Sequence, residues 1–192
     1  MALASKDFVS PPELAGITTA FLGGEISLDP ASSDAANQVI QAERYFTWKE
    51  NGIKQPWTGK NVYLYPPRDF ADKSEQPKSN KVFEKHKYFR RSNQTVWLEL
   101  AYQKWMRKEF DEAIIFLTSA EVALLRTQKL GIDVPLCVLK KQPRLLEDTP
   151  ELTPCKHNRC LGFVLYFPSV NETERRIHDF HQLYSDLGRV YA

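Results

Sequence analysis

Short unbroken apolar runs alternate along this chain with longer stretches in which apolar residues recur every three or four positions. The runs Ile26–Leu28, Val62–Tyr65, Ala113–Leu117, Val134–Leu139 and Leu161–Phe167 are rich in β-branched and aromatic side chains. Continuous runs of this length predict strands buried on both faces, hence a largely parallel sheet. Pro12–Phe21, preceded by Ser10 and opened by a proline pair, predicts a helix, as does Ser33–Glu43 with Ala, Gln and Ile at helical spacing. Thr95–Lys108 sets Val96, Leu100, Tyr102 and Met106 among polar residues and predicts an amphipathic helix leading into the Ala113 strand. Glu121–Lys129 and Thr173–Leu187 predict two more. Strand and helix in alternation give the α/β class, a doubly wound and mostly parallel sheet.

With 192 residues, 42% of them hydrophobic, the chain can bury a full core, and its length favours one domain spanning 1–192. A formal charge of +2, from 26 basic and 24 acidic side chains, is too balanced for the total to indicate nucleic acid or membrane. Only a local patch makes that case. Three cysteines, Cys137, Cys155 and Cys160, form an odd set that fits a reducing compartment, so the expected location is cytoplasmic. No apolar run approaches the roughly 20 residues of a membrane span, and the first residues lack a signal-peptide pattern.

Two stretches break the periodicity. Pro66–Asn93 is charged and nearly free of aliphatic residues, and Gln142–Arg159 holds three prolines among polar side chains. Loops of this length in a compact domain are usually lids or binding loops. The first contains Lys73, Lys78, Lys81, Lys85, His86, Lys87, Arg90 and Arg91 interleaved with Phe83, Tyr88 and Phe89. Cations for phosphates beside rings for bases are a nucleic-acid-binding combination, although a solvated charged loop gives the same string.

Ligands of open α/β sheets sit outside the carboxyl ends of the strands, which directs attention to Leu28-Asp29-Pro30-Ala31-Ser32-Ser33 and to Tyr65-Pro66-Pro67-Arg68. An acidic residue at a strand end can hold a cofactor's ammonium or hydroxyl groups, and the small residues after it allow close approach to the next helix start. Order and spacing add specificity. Phe8-Val9-Ser10-Pro11-Pro12-Glu13-Leu14 is followed by the Asp29 turn, Asn37, Tyr45-Phe46-Thr47, Asn51-Gly52-Ile53, Trp57-Thr58-Gly59 and a strand ending in Pro-Pro. This series resembles the phage-type DNA adenine methyltransferases from Phe8 to Pro67. In that family a Thr-Pro, a Leu-Asp-Pro-Ala turn, a Tyr-Tyr-Thr stretch, a Gly-Leu and a Trp-x-Gly precede an Asn-Pro-Pro-Tyr tetrapeptide.

The resemblance implies a Rossmann-like methyltransferase fold, S-adenosylmethionine as cofactor, a flipped adenine as substrate and DNA as partner. It implies a cofactor-binding set of Ser10, Pro11, Asp29, Pro30 and Ala31, and a catalytic segment of Tyr65, Pro66, Pro67 and Arg68. A conjugated exocyclic amine is a poor nucleophile, so such a site offers it a side-chain and a backbone carbonyl while an aromatic ring stacks on the base. Here Tyr65 stands at the acceptor position and Arg68 at the stacking position, with Asn51 and Ser33 also departing from the common pattern. Losing the acceptor amide costs about 3–4 kcal/mol in the transition state by analogy with a lost oxyanion-hole donor. The Tyr65 ring is expected to collide with a docked base. Two functions follow: an adenine methyltransferase, or a catalytically inactive methyltransferase-like module that binds DNA or a protein partner, including a second copy. The nucleic-acid-binding set expected beside the site is Lys78, Lys81, Lys85, Lys87, Arg90 and Arg91.

Other constellations are weaker. Cys155, His157 and Cys160, with His178 and His181 further on, supply zinc-ligand types, but the spacing is not a finger pattern and a polar loop with free thiols is the plainer reading, so no metal is expected. Asp111, Glu112, Glu147 and Asp148 read as solvated ends of secondary structure. No nucleophile elbow or phosphate-binding glycine loop is present.

Overall fold

The structure, a computed structural model, describes residues 8–68, 92–156, 160–169 and 171–191. Nine strands and five α-helices are distinguished among them: β1 (Phe8–Val9), α1 (Pro12–Phe21), β2 (Leu28–Asp29), α2 (Asp34–Ile40), β3 (Arg44–Tyr45), β4 (Gly59–Leu64), α3 (Asn93–Met106), β5 (Phe110–Leu117), α4 (Thr127–Leu130), β6 (Leu136–Leu139), β7 (Leu146–Glu147), β8 (Phe163–Phe167), α5 (Thr173–Tyr184) and β9 (Gly188–Tyr191). Seven strands form one sheet in the order β3-β2-β4-β5-β8-β6-β9, and β1 pairs with β7 in a separate ribbon.

The α/β class holds, with a mixed sheet. β3, β2, β4 and β5 are mutually parallel, while β8 lies antiparallel between β5 and β6, and β9 runs antiparallel on the β6 edge. Five of the seven strands therefore point one way and two the other. Apolar continuity cannot distinguish these directions, because an antiparallel strand covered on both faces is as apolar as a parallel one.

Alternation along the strands builds two cores. Tyr63 and Tyr65, Ile114 and Phe116, and Val164 and Tyr166 face α1 and α5, where they pack with Leu14, Phe21, Phe180 and Tyr184. Val62 and Leu64, Ala113, Ile115 and Leu117, and Phe163, Leu165 and Phe167 face α3 with Trp97, Leu98 and Ala101. The first core is aromatic: Phe21 meets Tyr166, Phe180 and Tyr184 edge-on, with centroids 4.8, 5.7 and 5.9 Å away.

Most predicted elements appear with shifted ends. The Pro12–Phe21 helix keeps its bounds, but Ser10 does not cap it; Pro11 occupies the cap position without a side-chain hydrogen bond. The Ser33–Glu43 helix is shorter, capped by Ser33 Oγ accepting from the Ala36 N–H at 2.9 Å and stopped by Gln41 in the left-handed region. Glu121–Arg126 forms a π-helical turn before α4, rather than one continuous α-helix. Arg126 at the end of this turn pairs with the buried Glu99 of α3.

Glu112 corrects its sequence reading. It is buried, accepts hydrogen bonds from Tyr166 Oη at 2.7 Å and from Arg176 Nη2 at 2.9 Å, and so ties α5 to the sheet. The guanidinium also lies 4.1 Å over the Phe21 ring and donates to the Phe21 carbonyl. An ion pair closed by residues 64 positions apart makes a strand-start carboxylate an interior group.

Candidate functional site

The chain reverses its direction of progress across the sheet at β2. From β2 it steps outward to β3, then crosses back to place β4 on the other side of β2. The carboxyl ends of β2 and β4 thereby flank the topological switch point, where α/β sheets leave a crevice for ligands. Leu28 pairs with Val62 in parallel register, so Asp29-Pro30-Ala31 and Tyr63-Leu64-Tyr65-Pro66 run side by side to the same edge.

Local packing fixes the Asp29 turn. The Phe46 N–H donates to the Asp29 carbonyl at 3.0 Å and the Ser32 N–H to the Phe46 carbonyl at 2.9 Å, which extends the β2–β3 pairing past the strand ends. The single-turn 3-10 helix Gly52–Lys54 lies against this turn, and a Cβ on Gly52 would come 1.9 Å from the Pro30 carbonyl oxygen. Only glycine fits. Trp57 Nε1 donates to the Gly52 carbonyl at 2.8 Å, and the Trp57 ring stacks on Trp97 of α3 at 5.9 Å. The segments Leu28–Ala31, Asn51–Ile53 and Trp57, scattered through the first sixty residues, are thus one packed unit.

Asp29 is the electrostatic centre of the edge. It is only 2% exposed, and its Oδ1 accepts the Ala31 N–H at 3.1 Å. Burial pushes its carboxyl up to about 7, against the opposing pull of the Ala31 N–H and the nearby Ser32 side chain. Ser32 Oγ is itself buried and makes no hydrogen bond of ordinary geometry among the described residues. A buried carboxyl poised near neutrality beside an under-used hydroxyl suits a ligand that brings a cation and a hydrogen-bonding group.

Ser10 and Tyr63 lie beneath the same edge. Their hydroxyls share a hydrogen bond, both residues are buried, and burial holds the Tyr63 phenol well above its ordinary value. Ser10 therefore supports the site floor, with Pro11 and Pro30 also buried, while Ala31 is half-buried.

The tetrapeptide divides. Tyr65 is 7% exposed and its ring lies 4.9 Å from Phe116 in the α1-side core. The expectation that it blocks a docked base by collision is corrected: strand parity turns position 65 the same way as Tyr63, into the core. Pro66 is buried, and Pro67 and Arg68 are half-buried. The Arg68 guanidinium lies 5.0 Å over the Phe8 ring of β1, which brings the amino-terminal ribbon to the end of β4.

The return of the polar loop has no signature in the sequence. β7 pairs Phe8 with Glu147 and Val9 with Leu146, and delivers Asp148 to α2, where it accepts from Ser33 Oγ at 2.5 Å. Residues 146–148 are thereby tied to β1 and to the start of α2. No local pattern announces a two-residue strand paired across more than a hundred positions.

The expected nucleic-acid set, Lys78, Lys81, Lys85, Lys87, Arg90 and Arg91, lies outside the described residues, as does His157. Cys155 is half-buried and Cys160 buried in the α1-side core, and among the described residues no cluster of ligand-type side chains has the makings of a metal site. His178 and His181 are exposed on α5. No described helix is long and apolar enough to cross a membrane. Comparison of the chain with protein-family models, with curated proteins and with solved structures finds no match.

Proposed function

We propose that this chain is a methyltransferase-like binding module that holds S-adenosylmethionine at the β2–β4 edge and nucleic acid beside it, and that has given up adenine methylation. The observation that supports the reading is the strand crossover, which sets Asp29-Pro30-Ala31 next to Tyr65-Pro66-Pro67-Arg68, segments whose order along the sequence resembles the phage-type adenine methyltransferases.

The cofactor fits the residues present. Its ammonium answers the buried Asp29 carboxyl, and its hydroxyls answer Ser32 Oγ. The seating of Gly52 on Pro30 keeps the turn's backbone in place for it. When bound, that group supplies an electrophilic methyl. What is missing is the acceptor for the adenine amine: the side chain at position 65 packs on Phe116, and the aromatic stacking position is a guanidinium. Arg68 still offers a flat cation to a base or a phosphate.

Calorimetric titration with S-adenosylmethionine at pH 8, followed by a tritiated methyl-transfer assay on an adenine-containing duplex, tests this. The expected result is micromolar binding with no transfer to adenine. The double variant Tyr65→Asn/Arg68→Tyr is expected to remain inactive, because a side chain at position 65 is directed into the core. Methyl transfer by the native chain would overturn the inactive reading, and absence of cofactor binding would overturn the cofactor site.

A further inference from the structure

We infer that Trp48 is a stacking platform for an unpaired nucleic-acid base at the ligand edge of the sheet. The inference rests on the nucleic-acid reading above and gives it a residue. Trp48 follows β3 by three positions, on the edge where β2 and β4 also end, and is 84% exposed. The other tryptophans are inside the protein: Trp57 is fully buried, Trp97 is 6% exposed, and Trp105 is half-buried with its Nε1 donating to the Pro168 carbonyl at 3.1 Å.

The turn that carries Trp48 is held from several sides. Glu50 Oε2 accepts from the Thr47 N–H at 2.9 Å and from the Thr47 hydroxyl. The Asn51 N–H donates to the Thr47 carbonyl at 3.1 Å, and Gln55 Nε2 donates to the Glu50 carbonyl at 2.7 Å. At its two ends the turn is bound to the candidate site, through the Phe46 to Asp29 hydrogen bond and through Gly52 on Pro30. Trp48 is therefore positioned with respect to the Asp29 turn rather than carried on a loose loop. A ring held in advance loses little freedom when a base stacks on it.

Charge selects the partner. Lys49 and Lys54 on the same turn are exposed and outnumber Glu50, whose carboxylate folds back on Thr47 but keeps its charge. An exposed indole flanked by lysines matches a base with its neighbouring phosphates.

Fluorescence titration of the full chain with oligodeoxythymidylate, and with an abasic oligonucleotide of equal length, tests the assignment. Oligodeoxythymidylate is expected to quench the exposed tryptophan and the abasic strand to leave it bright. Trp48→Ala is expected to abolish the quench and weaken oligodeoxythymidylate binding roughly 5-fold to 150-fold, with abasic binding unchanged and Trp48→Phe retaining most of the affinity. An unchanged thermal midpoint verifies that the variant is folded. Equal affinity of Trp48→Ala and native protein for oligodeoxythymidylate would overturn the stacking role while leaving the nucleic-acid reading intact. Failure of the native chain to bind either strand would overturn both. Self-association of the native protein that Trp48→Ala abolishes, without a base-dependent quench, would reassign the residue to a protein contact.

Discussion

Replacing Asp29 by asparagine isolates what it costs this fold to keep a carboxylate at the end of β2. The folded carboxyl sits at about 7 against an ordinary value of 3.8, so the native state binds the proton more tightly than the unfolded chain. A raised carboxyl contributes stability that is fully present below the unfolded value and is lost as pH rises through the folded one. Three units at about 1.4 kcal/mol each give about 4 kcal/mol, lost progressively from about pH 4 to about pH 7 and constant above pH 8. Asparagine keeps the oxygen that accepts the Ala31 N–H but never ionises. Its amide N–H group, buried without the carboxylate's ligand, costs about 1–3 kcal/mol at every pH. Urea unfolding of both proteins from pH 4 to pH 8 reads the difference directly, because other titrating groups cancel. The variant is expected to be less stable at pH 4 and more stable at pH 8, with the difference moving by about 4 kcal/mol between them. A difference that does not change with pH would refute the reasoning, since it would mean that Asp29 is an ordinary ionised carboxylate in the folded chain. The same poise predicts that affinity for an ammonium-bearing ligand falls about tenfold per pH unit below pH 7.

Three other perturbations test separate parts of the structure. Gly52→Ala drives a Cβ against the Pro30 carbonyl and the Trp97 ring, so it is expected to destabilise by about 3 kcal/mol in urea unfolding; a neutral result would mean that the 3-10 turn is not seated on Pro30. Glu112→Gln leaves the Arg176 guanidinium poorly compensated in the interior and is expected to cost about 3–5 kcal/mol, whereas a loss under 1 kcal/mol would show the pair to be solvated. Ser10→Ala and Tyr63→Phe each strand one buried hydroxyl at a cost of about 1–3 kcal/mol, and the double variant is expected to lose clearly less than the sum; strict additivity in a double-mutant cycle would deny the hydrogen bond between them.

The sequence disclosed the parts of the fold that are periodic or dense. β4, β5 and β8 were legible because burial on both faces leaves an unbroken apolar run, and α1 and α3 because proline placement and amphipathic spacing mark them. β1, β3 and β7 are two residues long and carry no period, so nothing local separates them from loop. Their pairing depends on partners that only the folded chain brings near. The same limit hid Asp148 beside Ser33 and the Arg176 partner of Glu112. At the site, the Asp29 turn and the end of β4 were legible as strand ends, because in this architecture position along a strand already specifies the ligand edge. The burial of Ser10 was not, since a serine before a proline pair looks like a helix cap and its true partner, Tyr63, is 53 positions away.

Tyr65 shows how a residue at a strand end can be committed to packing. Residues 61, 63 and 65 share the face of β4 that looks toward α1, and each has become structural: Asn61 Oδ1 accepts from the Ser27 N–H at 2.8 Å, Tyr63 meets Ser10, and Tyr65 covers Phe116. An asparagine at position 65 is too short to reach Phe116 and, on the same core-facing side of the strand, forfeits that ring contact. The tyrosine present there extends the aromatic core instead. Tyr65→Asn therefore opens a cavity of about a ring's volume beside Phe116, and a large-to-small change of that kind costs about 3–5 kcal/mol. Asp29, one strand away, follows the opposite logic: burial raises its carboxyl to about 7, a cost that a cationic ligand would relieve. The same edge thus holds a buried carboxyl on one strand and, on the next, an aromatic side chain committed to the core.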